Sequence, residues 1–274
     1  IVSEKIARSD EFARLIEEVL FTYQMYGAAT VVITTGKAKD FLKEQKPTIG
    51  TRLSTTVVAS LEHFHQNGYV PLTSIFTLFD ETRTPYSDPI VALAANNSGQ
   101  SQSLPEGQEG GGYPGSLARE GGNKNEYMGS ALIKDGKMVG ILNGAQTRWL
   151  LMLRGEIDNT NEICQGKAVR VSLTEPPAYH MDLNASPLTL DVRLALEAVP
   201  LTLMPDLDAL SGLIRKDIQG LFDICQALNV EPLGIAGRVA WRFPTIADFT
   251  AYGFGDKFSN ASIRVKIDVA QTSF

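Results

Sequence analysis

The sequence predicts an α+β protein of more than one domain, a mixed N-terminal piece followed by an antiparallel sheet packed with a long helix. Three observations carry this. Period-two alternation recurs late in the chain, at Val169, Val171 and Leu173, at Leu188, Leu190, Val192, Leu194 and Leu196, and at Ile263, Val265, Ile267 and Val269. Such patterns mark strands covered on one side only, as antiparallel strands often are. Between the second and third runs, Leu207, Leu210, Ile214, Ile218, Leu221, Cys225 and Leu228 share one helical stripe, and this helix supplies the cover. The first segment, in contrast, mixes helical periodicity with one short β-branched run.

Taken in order, Ser9, Asp10 and Glu11 provide a cap and an acidic first turn for a helix carrying Phe12, Leu15, Ile16, Val19 and Leu20. Ala29–Thr35 is β-branched and short, as a buried strand is. Gly36 breaks it, and residues 37–46 read as a short helix stopped by Pro47. A further helix puts Leu53, Val57, Leu61 and Phe64 on one face, with Gly68 just beyond its end. One strand among three helices is too few for a sheet. Residues 1–95 therefore read as the remnant of an N-terminal domain, opening on Ile-Val-Ser-Glu-Lys without an initiator Met or signal peptide, as a trimmed fragment would.

Residues 96–127 differ in kind. The stretch Asn96–Lys124 is rich in Gly, Ser, Gln and Asn and nearly empty of large apolar side chains, so it cannot bury enough surface to offset chain entropy. It reads as a flexible loop or linker, and the domain boundary is expected here. A hairpin–helix–strand subdomain, 128–178, follows. Ser130–Lys134 and Lys137–Leu142 are apolar runs joined by Asp135-Gly136, a strong signal for a type I′ turn. Asn143 caps a helix from Gly144 to about Arg154, and Gly155 ends it in the left-handed conformation. Residues 179–274 form the C-terminal α+β domain, whose long helix ends at Asn229 and Pro232.

Composition narrows the function. The chain is 43% hydrophobic and 20% charged, which is that of a folded protein. A net charge of −6 without any dense Lys/Arg cluster argues against a nucleic-acid partner. Cys164 and Cys225 read as two buried thiols, with one long-range disulfide as the alternative.

Catalytic and metal chemistry find little support. His63 and His65 are two positions apart on a helix, about 200° around its axis, and cannot converge on one ion. His180 is remote, and no spacing typical of zinc ligands occurs. Cys164 with His180 is the nearest approach to a thiol–imidazole pair, but packing is the preferred role for both cysteines. Gly110, Gly111, Gly112 and Gly115 resemble a phosphate loop only in composition, and no cofactor motif is present. The acid pairs Glu17-Glu18, Asp80-Glu81 and Asp206/Asp208 lack companion groups. No catalytic, cofactor-binding or metal-ligating residue is therefore assigned. Arg148, Trp149 and Arg154 stand out instead. They are read first as a helix plugging a junction between domains, and second as a partner-docking surface, since Trp and Arg are favoured interface anchors.

The string from Gly129 to Glu156 closely resembles the C subunit of the nutrient germinant receptors of spore-forming bacteria. That family carries a strand, a charged turn, a second strand and a helix ending in Leu-Arg-Gly-Lys/Glu. Gly129, Gly140, Leu153, Arg154, Gly155 and Glu156 fall on this signature. Gly36, Lys37, Ala38 and Asp40 match a second segment, and Gly237-Arg238 with Phe258–Val269 resemble the family's C-terminal region. Ile141 stands where the family usually has Trp. The resemblance implies a non-enzymatic lipoprotein, made with a signal peptide and a lipid-modified Cys that lies outside this chain. It implies a place on the outer face of the spore's inner membrane, working with two integral-membrane subunits in triggering germination. A small-molecule binding module and a spore-wall remodelling enzyme are the alternatives. The first would need a concave apolar pocket with convergent polar groups, and the second would need paired carboxylates or a metal.

Overall fold

Asp135 and Gly136 both take positive φ, 49° and 75°, so the expected tight turn joins two antiparallel strands. In this computed structural model, which describes residues 1–46, 52–97, 112–116 and 123–272, that hairpin completes the first of two sheets. The described residues up to Thr147 form one compact unit, and those from Arg148 onward form another.

The first unit contains β1 (Val2–Ser3), α1 (Glu4–Ala7), α2 (Glu11–Phe21), β2 (Val32–Thr34), α3 (Ala38–Glu44), α4 (Leu53–Gln66), α5 (Ile75–Arg83), β3 (Ile90–Asn96), β4 (Asn125–Lys134) and β5 (Lys137–Leu142). Its sheet runs β1-β2-β3-β4-β5. The first three strands are parallel, and the last two are antiparallel to their neighbours. Alternate residues feed two cores, as strand geometry requires. Ile33, Val91, Leu93 and Ile133 meet Phe12 and Ile16 of α2 and Leu78 of α5 on one face. Val32, Ala92, Ala94 and Tyr127 meet Phe41 of α3 and Leu61 of α4 on the other.

The first sheet extends across the expected division. The segment up to Asn96 supplies three strands, and β4 pairs with β3 and β5 with β4 to complete a sheet that this segment alone is too strand-poor to form. The hairpin expected to open a middle subdomain belongs to the first unit, because a central strand such as β3 must pair on both edges. Most of the stretch expected to be a flexible loop, and Pro47, lie outside the described residues. Within it, Gly112 and Pro114 are buried. Gly112 accepts a hydrogen bond from Gly144, and the Gly115 N–H donates to Glu126 at 2.6 Å. That short piece is therefore packed.

The second unit takes in the C-terminal part of α6 (Gly144–Arg154), then β6 (Asn159–Cys164), β7 (Lys167–Leu173), β8 (Ala178–Asp182), β9 (Thr189–Pro200), α7 (Leu207–Ala227), α8 (Ile235–Ala240), α9 (Ile246–Tyr252), α10 (Phe254–Ser259) and β10 (Ser262–Gln271). Its sheet runs β10-β9-β7-β6. The long β9 shares one edge between β8, at its start, and β7, at its end. The helix-covered sheet is as expected. Asp206 caps α7 by accepting from Ala209 N–H at 2.9 Å, and Leu210, Ile214, Ile218 and Leu221 are all buried. One strand departs from the antiparallel expectation. β10 runs parallel to β9, because the chain between them passes through four helices and re-enters the sheet at the same end. The solvent face of this pair carries cross-strand ion pairs, Arg264 with Asp191 and Arg193 with Asp268. Among the described residues no helix is long and apolar enough to cross a membrane.

Candidate functional site around the Arg148–Arg154 helix

The helix read first as a structural plug and second as a docking surface is buried. Asn143 caps it reciprocally with Gln146: each backbone N–H is held by the other's side-chain oxygen at 2.9 Å. Further on, Trp149, Leu150, Leu151 and Met152 are fully buried and Leu153 nearly so. A helix apolar all round is an interior helix. Its far end closes with paired bonds, Glu156 N–H to Leu151 O at 2.9 Å and Gly155 N–H to Met152 O at 3.0 Å, with Gly155 at φ 73°.

Arg148 and Trp149 are thus not available as surface anchors, which corrects the docking expectation for both. Arg148 donates from Nη2 to Glu162 Oε1 at 3.1 Å. Arg154 is partly buried, donating to the Pro232 carbonyl and pairing with Glu156. Tyr179 donates its hydroxyl to Leu153 O at 2.7 Å, so a strand residue satisfies a carbonyl at the helix end. Burial pushes the Tyr179 phenol well above its ordinary value, and the Arg238 guanidinium lies 4.8 Å over its ring.

Sequence reasoning missed the acidic half of this cluster. Glu162 shares the inward face of β6 with Thr160 and Cys164, a row too polar to look like the buried side of a strand. Burial pushes its carboxyl up to about 7, against the opposing pull of Arg148 and with a further push from Asp217. Asp217, on α7, is itself raised by burial. Arg148 Nε, Trp149 Nε1 and Thr160 Oγ1 are buried without a hydrogen-bond partner among the described residues.

The other candidates stay apart. Cys164 and Cys225 are buried thiols, and burial raises the Cys164 pKa, which keeps it protonated and a weak nucleophile. His180 is exposed on β8, which borders β9 rather than β6, so the sheet does not join it to Cys164. His63 is exposed, and the His65 ring contacts Val70 O at 3.0 Å. Glu17 pairs with Arg83, and Asp206 is spent as a helix cap. Gly110 and Gly111 lie outside the described residues.

The signature glycine Gly129 has a steric cause. At φ 86°, a Cβ there would lie 2.3 Å from the Leu142 carbonyl oxygen. Two family models match the chain. One, described as spore germination protein N-terminal domain, covers residues 1–95, and the other, spore germination B3/GerAC like, C-terminal, covers 128–272. The chain belongs to the GerAC-like spore germination family. Membership in this GerAC-like family gives it a role in spore germination, as a germinant-receptor C subunit. No curated protein sequence matches it. Among solved structures it is similar to the one titled crystal structure of the GerBC protein. The TM-score is 0.66 at 11% identity, over 99% of this chain and 78% of that one. At that identity the likeness bears on the fold, which is the same mixed α+β architecture.

Proposed function

We propose that the chain acts as a non-enzymatic, lipid-tethered receptor subunit, working with two integral-membrane subunits at the outer face of the spore inner membrane to couple a nutrient signal to germination. One observation carries the non-enzymatic part. The family signature does structural work residue by residue: Gly129 permits a close approach, Gly155 ends a helix, Leu153 meets Tyr179, and Arg154 holds the Pro232 carbonyl. Those residues are spent on holding the fold.

The test is co-purification from spore membranes with an affinity tag on this chain. Both integral-membrane subunits should come down with it, and their absence from a well-solubilised preparation would overturn the reading.

One observation favours direct nutrient binding as a second reading. A cavity of about 310 Å³ lies between α2, α5 and the β4–β5 turn, walled by Phe12, Ile16, Leu78 and Phe79, with Arg83 and Asp135 at its edge. That is a largely apolar hollow with Thr82, Arg83 and Asp135 as its polar groups, the form small-molecule sites take. Calorimetric titration of the chain with amino acids would support it if heat saturates and Phe79→Ala abolishes the signal.

A further inference from the structure

The Gly36-Lys37-Ala38 segment, set apart by sequence and given no role by the reading above, opens onto a crevice. β1 and β2 are parallel, so their carboxyl ends point the same way. The chain leaves β1 for α1, whose Ala7 packs into one core, and leaves β2 for α3, whose Phe41 packs into the other. Segments that part to opposite faces of a parallel sheet leave a gap beyond the strand ends, where α/β proteins bind ligands. Here the gap is a cavity of about 660 Å³, lined by Ser3, Lys5, Thr35, Gly36, Lys37 and Lys39, with Arg8 and Glu4 completing the wall.

Its charge opposes that of the molecule. The chain carries a net −6, yet this wall holds Lys5, Arg8, Lys37 and Lys39 against Glu4 alone. Glu4 is taken by Arg8, Nε to Oε1 at 2.8 Å. Lys5, Lys37 and Lys39 have no carboxylate partner among the described residues. All three are exposed and line the same crevice, so an anion there meets several cations at once.

We propose that this crevice binds a small phosphate-bearing molecule, with Lys5, Lys37 and Lys39 as its cationic partners. A single carboxylate would leave most of that positive charge uncompensated, whereas a phosphate offers several strong acceptors and up to two charges. Ammonium groups bind phosphate as point charges, three donors each, and the Ser3 and Thr35 hydroxyls add neutral donors. The hollow is far larger than one phosphate group, leaving room for an organic remainder. Gly36 keeps the floor open: a Cβ built there meets nothing within 4 Å, so ligand atoms have free approach to its backbone. The crevice is independent of the receptor reading, and either can fail without the other.

Inorganic phosphate titrated into the full chain, at constant ionic strength and followed by amide NMR, tests this. Signals from Ser3–Arg8 and Thr35–Lys39 should shift and saturate. Lys37→Ala combined with Lys39→Ala should weaken binding at least about tenfold, as loss of charged hydrogen bonds does. Gly36→Ala should weaken it too while leaving the melting temperature unchanged. Shifts that rise without saturating, or that survive the double variant unaltered, would overturn the site. Flotation with vesicles then separates the sources. Capture by phosphatidylglycerol but not phosphatidylcholine, lost in the double variant, would assign the site to a lipid headgroup. Saturable phosphate binding without capture would assign it to a free phosphate ester.

Discussion

Arg148 Nη2 lies 3.1 Å from Glu162 Oε1, and both side chains are 6% exposed. A charge pair this deep gains Coulomb energy but has lost its water, so its net worth is small while the cost of breaking it is large. Glu162→Ala should destabilise the second unit by about 3–5 kcal/mol in urea unfolding at pH 8, leaving Arg148 uncompensated. Replacing both partners by apolar residues of similar size should cost far less. If the double replacement costs as much as the two singles together, the residues act independently.

The same pair sets a pH dependence. The folded-state pKa of Glu162, about 7, lies above its ordinary 4.5, with burial as the largest cause. The native chain therefore keeps a proton that the unfolded chain has released across that window. The stability this provides is full below about pH 4.5 and is lost as pH rises through 7. Asp217 is raised as well and acts in the same direction. Relative to Glu162→Gln, the wild-type chain should lose about 1–3 kcal/mol between pH 5 and pH 8. Parallel unfolding curves across that range would show that Glu162 does not titrate there.

Gly129 and Gly36 make a contrasting pair. A methyl group at Gly129 would meet the Leu142 carbonyl at 2.3 Å in a backbone conformation of φ 86°, and nothing can move aside without disturbing the β4–β5 pairing. Gly129→Ala should cost about 1–3 kcal/mol or more, whereas Gly36→Ala should be nearly silent. Thermal melts of the two variants side by side check this, and equal losses would contradict the geometry.

Where local chemistry decides structure, the sequence could be read directly. Asp135-Gly136 named its turn, Asn143 and Gly155 named both ends of α6, and the Leu210–Leu221 stripe named the face of α7. What stayed hidden was non-local. β3 is buried on both faces, so Ile90–Asn96 shows no alternation to mark it as a strand. Without that strand the first sheet reads as short. Arg148 and Trp149 looked like interface anchors because composition cannot tell a buried Arg with a buried carboxylate from an exposed one. Only the fold brings Glu162 to it.

Trp149 now has one expected behaviour. Its ring is fully buried, so Trp149→Ala should remove about 3–5 kcal/mol through the cavity it leaves. Any germination defect should then appear together with a lowered melting temperature and lost near-ultraviolet circular dichroism. Trp149→Phe should cost less, since the ring it keeps leaves a smaller cavity. A defect in Trp149→Ala with unchanged stability would restore the docking role.

The last prediction concerns function as a whole. If the chain works as a tethered subunit, germination depends on its surface and its place, not on a reactive group. Single conservative replacements of Cys164, Cys225, His63, His65 and His180 should leave germination intact wherever the protein still folds. Cys164 and Cys225 are buried and can fail by misfolding, so the exposed His63 and His180 give the cleaner test. Removing the tether should have the opposite result, an untouched fold with a lost or much weakened response. A tethered chain meets its partners at millimolar effective concentration, while a free one must rely on affinity alone. Rescue on overexpressing the untethered chain would fit that account, since concentration then replaces the anchor. A germination defect from His180→Ala in a stable, correctly placed protein would overturn the non-enzymatic reading and point to chemistry on the exposed face of β8.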